Sequence, residues 1–493
     1  MKISEIISIG EIERWKKNDN IVIQAGTGMG KSYFIGNKLY RYCQDHNKKI
    51  LFLVHRNSLR RQLAFDNRNK DINMMSYQFL ECNDVPLDYD YIVCDEFHYF
   101  LDDSPMNYQT HISFEKVMST DATKIFMSAT PKDILNYMKG EDIQMKEYYI
   151  ETDFDYIKDL NFIYGVNDIK DIVAQKIALG EKVLIFTTSG RDILKSIYRT
   201  FKNDTMVYVS KNNSLYEEYV DEELIDQMLK TGKLPKKILL ATSVIDAGVS
   251  IWDKDVKTII LDVPNDNTLI QSLGRKRFND KEEKISVYCK MRNQRDISRS
   301  IVRVKNNIDK STYYKEKGVE KYLIKYGATS LTEPVKLKFD EETNSLKVFF
   351  NPLYEERLKV DLAYYNKLRA DDAIEENYAK HIASLLKQKE YKIIPRTKNN
   401  YARNNTQDKI AKEYKLLVKL LKEGELEEEN FLAIKRVIEK NSKGKATIPK
   451  INKRLKEIGL DYEIKHMTKS INGKNKRIKI VQKINWTKSH KKK

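Results

Sequence analysis

The stretch of sequence that decides the fold is Gln24-Ala25-Gly26-Thr27-Gly28-Met29-Gly30-Lys31-Ser32. It follows an apolar run at residues 21–23, typical of a short buried strand, and it precedes residues 33–43, whose apolar spacing predicts a helix. A glycine-rich loop between a strand and a helix surrounds a triphosphate with backbone N–H groups and the positive end of the helix dipole. In this pattern Lys31 reaches the β- and γ-phosphates, and Ser32 ligates Mg²⁺. The nucleotide-binding residues predicted from this stretch are Ala25, Gly26, Thr27, Gly28, Met29, Gly30, Lys31 and Ser32.

One position departs from the strict phosphate-loop pattern, which has glycine where this chain has Ala25. The alternative interpretation is a glycine turn with a chance Gly-Lys-Ser sequence. The flanking strand and helix favour a phosphate loop, so ATP and Mg²⁺ are the expected cofactors.

Positive charge is concentrated at one end of the chain. The 493 residues carry a formal net charge of +18, and residues 431–493 hold 20 Lys and Arg against 4 Asp and Glu. A basic module of this kind indicates a polyanionic partner, most often nucleic acid. The alternative is a solubilising tail, although the apolar patterning of the segment favours a folded module.

The remaining composition is typical of a cytoplasmic protein of about three domains. Residues 1–5 contain no apolar signal region, and no stretch approaches the length of a membrane span. The four cysteines are scattered without metal-ligand spacing, as expected of core thiols in a reducing compartment. We therefore expect a cytoplasmic protein with no membrane partner.

Two consecutive segments alternate short apolar runs with helix-like stretches. Strands are predicted in residues 1–151 at 21–25, 50–54, 72–75, 91–95, 124–128 and 147–151, and in residues 152–300 at 161–164, 183–187, 206–209, 238–242, 257–261 and 284–288. Alternation of this kind predicts parallel sheets with helices on both faces, so the predicted fold class is α/β with two tandem domains. Functional residues in such sheets lie at the carboxyl ends of the strands.

Two adjacent carboxylates end the strand predicted at 91–95. Asp95 is positioned to hold the Mg²⁺ that Ser32 also ligates, and Glu96 is positioned to polarise the attacking water. The alternative is a pair of exposed acids that caps a strand. The order of phosphate loop, strand and acid pair favours catalysis.

In the order of its motifs the chain resembles the superfamily 2 helicases of the DExH type. The matching motifs are residues 25–32, 54–62 and 75–78, Asp95-Glu96-Phe97-His98, Ser128-Ala129-Thr130, residues 184–189 and 241–250, and residues 271–278. The resemblance implies two RecA-like domains with ATP held between them. Implied roles are catalysis for Lys31, Asp95, Glu96, His98, Gln271, Arg275 and Arg277, nucleotide binding for Gly248, coupling for Ser128 and Thr130, and nucleic-acid contact for Arg56, Gln62, Ser76, Gln78, Thr187 and Thr242.

The last motif departs from the family at one position. The final arginine of the family motif falls where this chain has Phe278. Arg277, one residue earlier, is the candidate substitute, and Arg275 matches directly. Cationic side chains at these positions stabilise the charge that develops during phosphoryl transfer.

Residues 301–430 predict a mostly helical accessory region and a linker. Helical periodicity is found at 301–326 and 364–388, and an alternating pattern at 335–339 and 346–350 predicts a hairpin. The acidic run at 423–429 is interpreted as the start of a solvated helix. Trp15 and Tyr40 could stack on the base of a nucleotide, but we interpret both as core residues.

Residues 431–493 predict a helix, a basic helix and a basic hairpin. Apolar residues line one face of the first helix, Pro449 begins the second, and Asn472-Gly473 is a strong hairpin turn signal. This outline is that of a winged helix, whose basic helix enters a groove of DNA while the wing contacts phosphate. The expected contacts are Lys450, Lys453, Arg454, Lys476 and Arg477. The alternative is a basic hairpin that packs on the motor or contacts a protein.

The resemblance and the basic module together indicate an ATP-hydrolysing helicase or translocase, with DNA favoured as its polymer. An RNA helicase is the alternative enzyme. An ATP-switched replication-initiation or DNA-remodelling factor that does not unwind is the alternative of a different class. We expect a monomer, with replication or repair proteins as candidate partners, and composition suits a replication helicase of a phage or mobile element.

Overall fold

The computed structural model describes residues 2–26, 28–55, 72–188, 190–209, 214–242, 249–263, 265–280, 282–327, 333–340, 345–395, 417, 420–441, 446–457, 460, 462–471 and 474–483. The chain divides into two compact units, Met1–Pro395 and Arg396–Lys493. No helix among the described residues is long and apolar enough to cross a membrane.

A six-stranded parallel sheet forms the first core of the larger unit. Its strands are β1 (Asn20–Ala25), β2 (Ile50–Val54), β3 (Asn73–Ser76), β4 (Tyr91–Asp95), β5 (Thr123–Ser128) and β6 (Lys146–Ile150), in the order β3-β2-β4-β5-β1-β6. Both faces of β1 are buried, because Ile21 and Ile23 join one apolar cluster and Val22 joins the cluster on the other face. Gln24 pairs with Ser128, so the glycine-rich loop leaves the sheet beside the end of β5.

A seven-stranded parallel sheet forms the second core. Its strands are β7 (Ile157–Ile163), β8 (Lys182–Thr187), β9 (Thr205–Tyr208), β10 (Ile238–Thr242), β11 (Val256–Asp262), β12 (Ile285–Lys290) and β15 (Lys392–Ile393), in the order β15-β7-β12-β11-β8-β10-β9. Every strand predicted in the first 300 residues is present, with ends that shift by a few residues at most. The two parallel sheets confirm the predicted α/β class.

Helices cover both faces of the sheets. They are Ile3–Ile6, Ile9–Ile12, Lys31–Tyr33, Tyr40–Asp45, Tyr77–Cys82, Tyr99–Asp102, Thr110–Met118, Lys132–Gly140, Val166–Ala178, Gly190–Thr200, Glu222–Thr231 and Asp266–Leu273, with 3₁₀ turns at Lys202–Asp204 and Ser214–Tyr219. The helix predicted at 33–43 contains a π-helical segment, Phe34–Leu39. Trp15 and Tyr40 are each only 6% exposed, which confirms their interpretation as core residues.

The accessory region is built from three long helices and a hairpin. They are Gln294–Tyr326, β13 (Val335–Asp340), β14 (Ser345–Phe350), Pro352–Arg369 and Ile374–Leu385, with a 3₁₀ turn at Ala370–Asp372. The helix predicted at 364–388 begins earlier, because Asn351 accepts a hydrogen bond from Leu353 N and Pro352 occupies the first turn. It is interrupted at Asp371, whose φ of 56° is left-handed. The single predicted helix was therefore wrong, and the structure has two.

The smaller unit contains two described helices and a three-stranded antiparallel sheet. Its helices are Glu428–Asn441 and Ile448–Glu457, and its strands are β16 (Gly424–Glu425), β17 (Tyr462–Ile471) and β18 (Lys474–Lys483), in the order β16-β18-β17. Part of the acidic run predicted to begin a helix instead pairs with β18. Its apolar core includes Phe431, Ile434 and Ile438, as the sequence pattern predicts.

Candidate functional site

The glycine-rich loop is shaped by backbone conformations that only glycine adopts easily. Gly28 and Gly30 have φ values of 84° and 86°, in the left-handed region, and Gly30 is the residue that precedes the helix from Lys31. At Gly26 the constraint is space, because a side-chain Cβ at this position would lie 2.8 Å from Oγ1 of Thr152. The loop is thereby fixed at the end of β1, with the first turn of a helix pointing into it.

The lysine of this loop is held by the acid pair at the end of β4. Lys31 Nζ donates to Oε1 of Glu96 over 2.7 Å, and both side chains are largely buried. Glu96 has a φ of 49°, an uncommon conformation for a residue with a side chain. The chain therefore turns sharply after Asp95, and this turn directs the Glu96 carboxylate at the phosphate loop.

The two neighbouring carboxylates differ in acidity. Burial, reinforced by the negative charge of Glu96, raises the pKa of Asp95 to about 7. Burial acts in the same direction on Glu96, but the positive charge and the hydrogen bond of Lys31 outweigh it and lower the pKa of Glu96 to about 2. Near neutral pH, Glu96 is ionised and Asp95 is poised between its two forms.

A histidine connects the acid pair to two further motifs. His98 Nδ1 lies 2.8 Å from Oγ of Ser128, and His98 Nε2 lies 2.9 Å from Nε2 of Gln271. Because the Gln271 amide donates to Nε2, the tautomer that satisfies both contacts carries its proton on Nδ1 and donates it to Ser128. The Ser128 hydroxyl also accepts from the backbone N–H of Thr130 over 3.0 Å. One imidazole therefore joins the end of β4, the end of β5 and a helix of the second sheet.

The second sheet also places an arginine against the phosphate loop. An added Cβ on Gly28 would lie 3.0 Å from Nη1 of Arg277, and Nε of Arg277 donates to Oγ of Ser250 over 3.2 Å. A backbone bridge pairs Ile251 with Lys276 in the manner of two neighbouring strands, so successive side chains around Lys276 point to opposite sides. Lys276 is buried, and Arg277 points toward the phosphate loop.

Phe278, which stands where the resemblance implies an arginine, is partly buried and packs against the core of the second sheet. Its ring stacks on Tyr156 with centroids 4.5 Å apart. Arg275 lies on the same side of the segment as Arg277, and its charge contributes to the low pKa of Glu96. The structure thus brings both candidate arginines toward the site and turns Phe278 away.

The polar atoms left at this site fit a magnesium nucleotide. Among the described residues, the buried atoms Oδ1 of Asp95, Oε2 of Glu96 and Oγ1 of Thr130 make no hydrogen bond. Buried polar atoms are rarely left unsatisfied unless a ligand, ion or water completes them. Ser32 is exposed in the first turn of the helix that follows the loop. A carboxylate and a hydroxyl oxygen are ligands that Mg²⁺ accepts together with phosphate and water.

A comparison with protein families agrees with this geometry. Residues 2–79, which contain the phosphate loop, match the model of the family described as "Type III restriction enzyme, res subunit". The match covers only this N-terminal part of the chain.

Solved structures similar to this chain include S. cerevisiae Dbp5 bound to RNA and ADP BeF3. That similarity has a TM-score of 0.42 and 14% sequence identity, over 55% of this chain and 78% of that chain. A Dbp5 variant of the same yeast, bound to a Gle1 variant and IP6, is similar with a TM-score of 0.39 and 15% identity, over 57% of this chain and 80% of that chain. No curated protein matches the sequence.

The residues predicted to contact nucleic acid in the larger unit occupy varied environments. Ser76 is 8% exposed and its hydroxyl accepts from Phe79 N, so it caps a helix. Gln78, the second residue of that helix, is partly exposed. Thr187 is fully buried, and its hydroxyl donates to Asp262. Thr242 is 9% exposed at the end of β10.

Some predicted site residues of the larger unit fall outside the described residues. They are Thr27, Gly248, Arg56 and Gln62. Their roles stay predictions, as do the domain boundaries at 151, 300 and 430.

In the smaller unit the predicted basic contacts lie on the surface. Lys450, Lys453, Lys476 and Arg477 are exposed and Arg454 is partly exposed. Asn452 fixes the basic helix to the hairpin, because its side chain exchanges two hydrogen bonds with the backbone of Ile464. Lys453 is thereby held on the outer face of a rigid helix.

The sequence patterns missed one buried arginine next to the candidate nucleotide site. Arg357 Nη1 lies 2.5 Å from Oδ1 of Asp102, and its other nitrogens reach Asp361 at 2.9 Å. The second oxygen of Asp102 accepts from Nδ2 of Asn267, in a helix of the second sheet. Asp102 ends the short helix that follows the acid pair. An accessory helix is therefore joined to both sheets close to the acidic motif.

Proposed function

We propose that the chain is an ATP-dependent helicase or translocase that couples ATP hydrolysis to movement along nucleic acid, with DNA as its preferred polymer. The observation that carries this proposal is the pair of contacts across the two sheets. His98 of the acidic motif meets Gln271 of the second sheet, and Arg277 lies against Gly28 of the phosphate loop. A nucleotide on the loop would therefore be surrounded by residues of both sheets.

Nucleotide binding must rearrange the acid pair. In the structure Glu96 neutralises Lys31, and the triphosphate would replace it there. Glu96 is then free to orient the attacking water, which is the role of the second carboxylate in this motif. When bound, Mg²⁺ held by Ser32 and Asp95 neutralises charge on the phosphates. Glu96 is thus paired with Lys31 when no nucleotide is bound, and nucleotide binding makes it available for catalysis.

Arg275 and Arg277 would stabilise the transition state. The guanidinium of Arg277 is already at the loop, so little movement is needed for it to reach the phosphates. Loss of the γ-phosphate removes the charge that attracts both arginines, and the two sheets can then separate. Opening and closing of the cleft between the two sheets is the step that would move a nucleic-acid strand.

The preference for DNA rests on the smaller unit. Its strand order, with β16 paired to the hairpin strand β18, and the exposed lysines of its helix Ile448–Glu457 support the predicted winged helix. In such modules the basic helix lies in the major groove and the hairpin contacts phosphate. We therefore assign the duplex contacts to Lys450, Lys453, Arg454, Lys476 and Arg477.

The experiment measures ATP turnover and binding with no polymer, single-stranded DNA, duplex DNA and RNA in parallel. We expect stimulation by DNA, and duplex affinity that falls in the variant Lys450→Glu/Lys453→Glu while turnover without polymer is unchanged. A matched control is Lys435→Glu/Lys422→Glu, which makes the same charge change elsewhere in the smaller unit. Stimulation by RNA alone would contradict the DNA preference. Turnover and binding without strand separation or translocation would favour an ATP-switched remodelling factor.

A further inference from the structure

Outside the nucleotide site, the larger unit has a second concave surface along the helix Gln294–Tyr326. A cavity of about 800 Å³ lies against this helix. We call it the arginine groove and define it by the lining residues Arg295, Arg299, Val302, Arg303, Lys310 and Tyr326. None of them belongs to the motifs that carry the helicase resemblance.

The groove lies on the face of the helix opposite to its packing face. Ile297 and Ile301 are buried in the core of the second sheet, and Val304 packs on the accessory helix Pro352–Arg369. Residues at 295, 299 and 303 project away from this apolar stripe, because each turn takes 3.6 residues. The packing face therefore holds the helix in place and leaves the arginines directed outward.

Positive charge in the arginine groove is concentrated at the end that begins with Arg295. Arg295, Arg299 and Arg303 are exposed. None of the described salt bridges involves these three arginines, while the carboxylate of Asp309 also lines the groove and the charge of Arg303 acts on Asp361 of the accessory helix. At the other end, Lys310 is neutralised by Glu333 over 2.7 Å. Three guanidiniums in a row, about 6 Å apart along the helix, create a positive potential that a polyanion would neutralise.

The groove also exposes apolar and aromatic side chains. Val302 lies between Arg299 and Arg303 in the sequence and is 59% exposed. Gly318, with a φ of 75°, breaks the helix, and the returning segment brings the Tyr326 ring to 5.6 Å from that of Tyr313. Lys310 Nζ lies 5.4 Å from the Tyr326 centroid. Cationic side chains beside an aromatic ring form the combination that binds single-stranded nucleic acid without sequence preference.

The groove begins at the functional edge of the second sheet. The helix starts shortly after β12 ends at Lys290, and β12 is parallel to β8 and β10, which end at Thr187 and Thr242. Carboxyl ends of parallel strands share one edge. Arg295 therefore lies at the edge of the second sheet that was predicted to contact a nucleic-acid strand through Thr187 and Thr242.

We propose that the arginine groove binds the phosphodiester backbone of a single nucleic-acid strand, with unpaired bases against Val302 and Tyr326. This inference rests on the proposed function, because it extends the path of the strand beyond the helicase motifs. The three arginines span about 12 Å, which is the length of three to four stacked nucleotides at about 3.4 Å per phosphate. The groove would hold the strand between steps of the motor.

The test uses the full-length variant Arg295→Ala/Arg299→Ala/Arg303→Ala. The matched control, Lys305→Ala/Lys317→Ala/Lys321→Ala, removes the same charge from exposed positions of the same helix outside the groove. Binding of a labelled single-stranded oligonucleotide is measured over a series of salt concentrations. We expect the slope of log affinity against log salt to become shallower by about 2 in the arginine variant, at about 0.7 per phosphate contact. The control should keep the wild-type slope, and turnover without polymer should be unchanged in both.

A local measurement separates groove binding from an indirect effect. Cys82 is the exposed native cysteine, while Cys43, Cys94 and Cys289 are buried. In a Cys82→Ser background, Val302→Cys adds one reactive thiol inside the groove. An oligonucleotide should slow alkylation of that thiol, and inorganic tripolyphosphate at equal phosphate concentration should not.

Several outcomes would overturn the proposal. They are equal salt slopes for the arginine variant and the control, no protection of the thiol by the oligonucleotide, or protection by tripolyphosphate alone, which would indicate a site for a small free anion. Failure of the proposed function looks different, because the wild type itself would then bind no oligonucleotide and show no stimulated turnover.

Discussion

The most specific prediction for the nucleotide site concerns Lys31, which we expect to exchange the Glu96 carboxylate for the triphosphate of ATP. The substitution Glu96→Gln keeps the size of the side chain and removes its charge. In the wild type the surroundings of Glu96, Lys31 above all, overcome its burial and lower its pKa from 4.5 to about 2. This difference corresponds to about 3 kcal/mol in favour of the ionised, paired form. ATP must release Glu96 from Lys31 to bind, so the pair opposes binding.

A neutral amide competes less strongly for Lys31. A hydrogen bond to a charged group is stronger than one between neutral groups by about 1–2 kcal/mol. We therefore expect Glu96→Gln to bind ATP about 5- to 30-fold more tightly than the wild type. Its turnover should fall by about 10²- to 10⁴-fold, because no carboxylate remains to orient water.

The assay measures equilibrium binding of a fluorescent ATP analogue with Mg²⁺ and without polymer, followed by single-turnover hydrolysis. Glu115→Gln is the matched control, because it makes the same charge change on an exposed part of the helix Thr110–Met118. Equal or weaker ATP binding by Glu96→Gln would refute the argument that the Lys31 pair opposes the nucleotide. Hydrolysis at the wild-type rate would refute the catalytic assignment.

Four further predictions address the surroundings of this pair. Arg277→Ala should lower turnover by about 10³-fold in a phosphate-release assay, as the loss of an arginine finger does. His98→Ala and Gln271→Ala should be non-additive in turnover, since each breaks the same hydrogen bond. Arg357→Ala should destabilise the larger unit by about 3–5 kcal/mol in thermal unfolding, because it leaves buried carboxylates without their counter-charge. Mg²⁺-dependent nucleotide affinity should fall about tenfold per pH unit below pH 7, because a ligand carboxylate must be ionised and burial raises the pKa of Asp95 to about 7.

Each of these predictions has a control and a contradicting result. Arg277→Lys keeps the charge without the planar fork, and near-normal turnover in Arg277→Ala would leave Arg275 as the sole finger. Strictly additive losses in the double variant would separate His98 from Gln271. An unchanged unfolding temperature in Arg357→Ala would show that the buried pairs contribute nothing net. Nucleotide affinity that is flat between pH 6 and 8 would show that Asp95 is already ionised.

The sheets could be predicted from the sequence because each buried strand is a short apolar run. β1, β2, β4 and β10 are buried along nearly their whole length, so composition alone separates them from helices. The motif residues could be placed for a related reason. Strand ends are visible in the sequence, and parallel topology collects those ends at one edge.

Contacts between distant segments could not be predicted in this way. Arg357 and Asp102 are 255 residues apart, and no local pattern marks either as a partner of the other. The π-helical turn Phe34–Leu39 and the break at Asp371 depend on local backbone conformation that apolar spacing does not reveal. The shift from Phe278 to Arg277 was recognisable as a departure. Its explanation, the bridge from Ile251 to Lys276, required the structure.

The most direct test of the account is phosphate release from ATP by the wild type and by Lys31→Ala, each with and without single-stranded DNA. If ATP is held between the phosphate loop and Arg277, the wild type should hydrolyse ATP faster when the polymer is present. Lys31→Ala should show no turnover in either condition, because the phosphates lose their principal cation. Turnover by Lys31→Ala at the wild-type rate, or wild-type turnover that no nucleic acid changes, would contradict the assignment of this chain as a nucleic-acid motor.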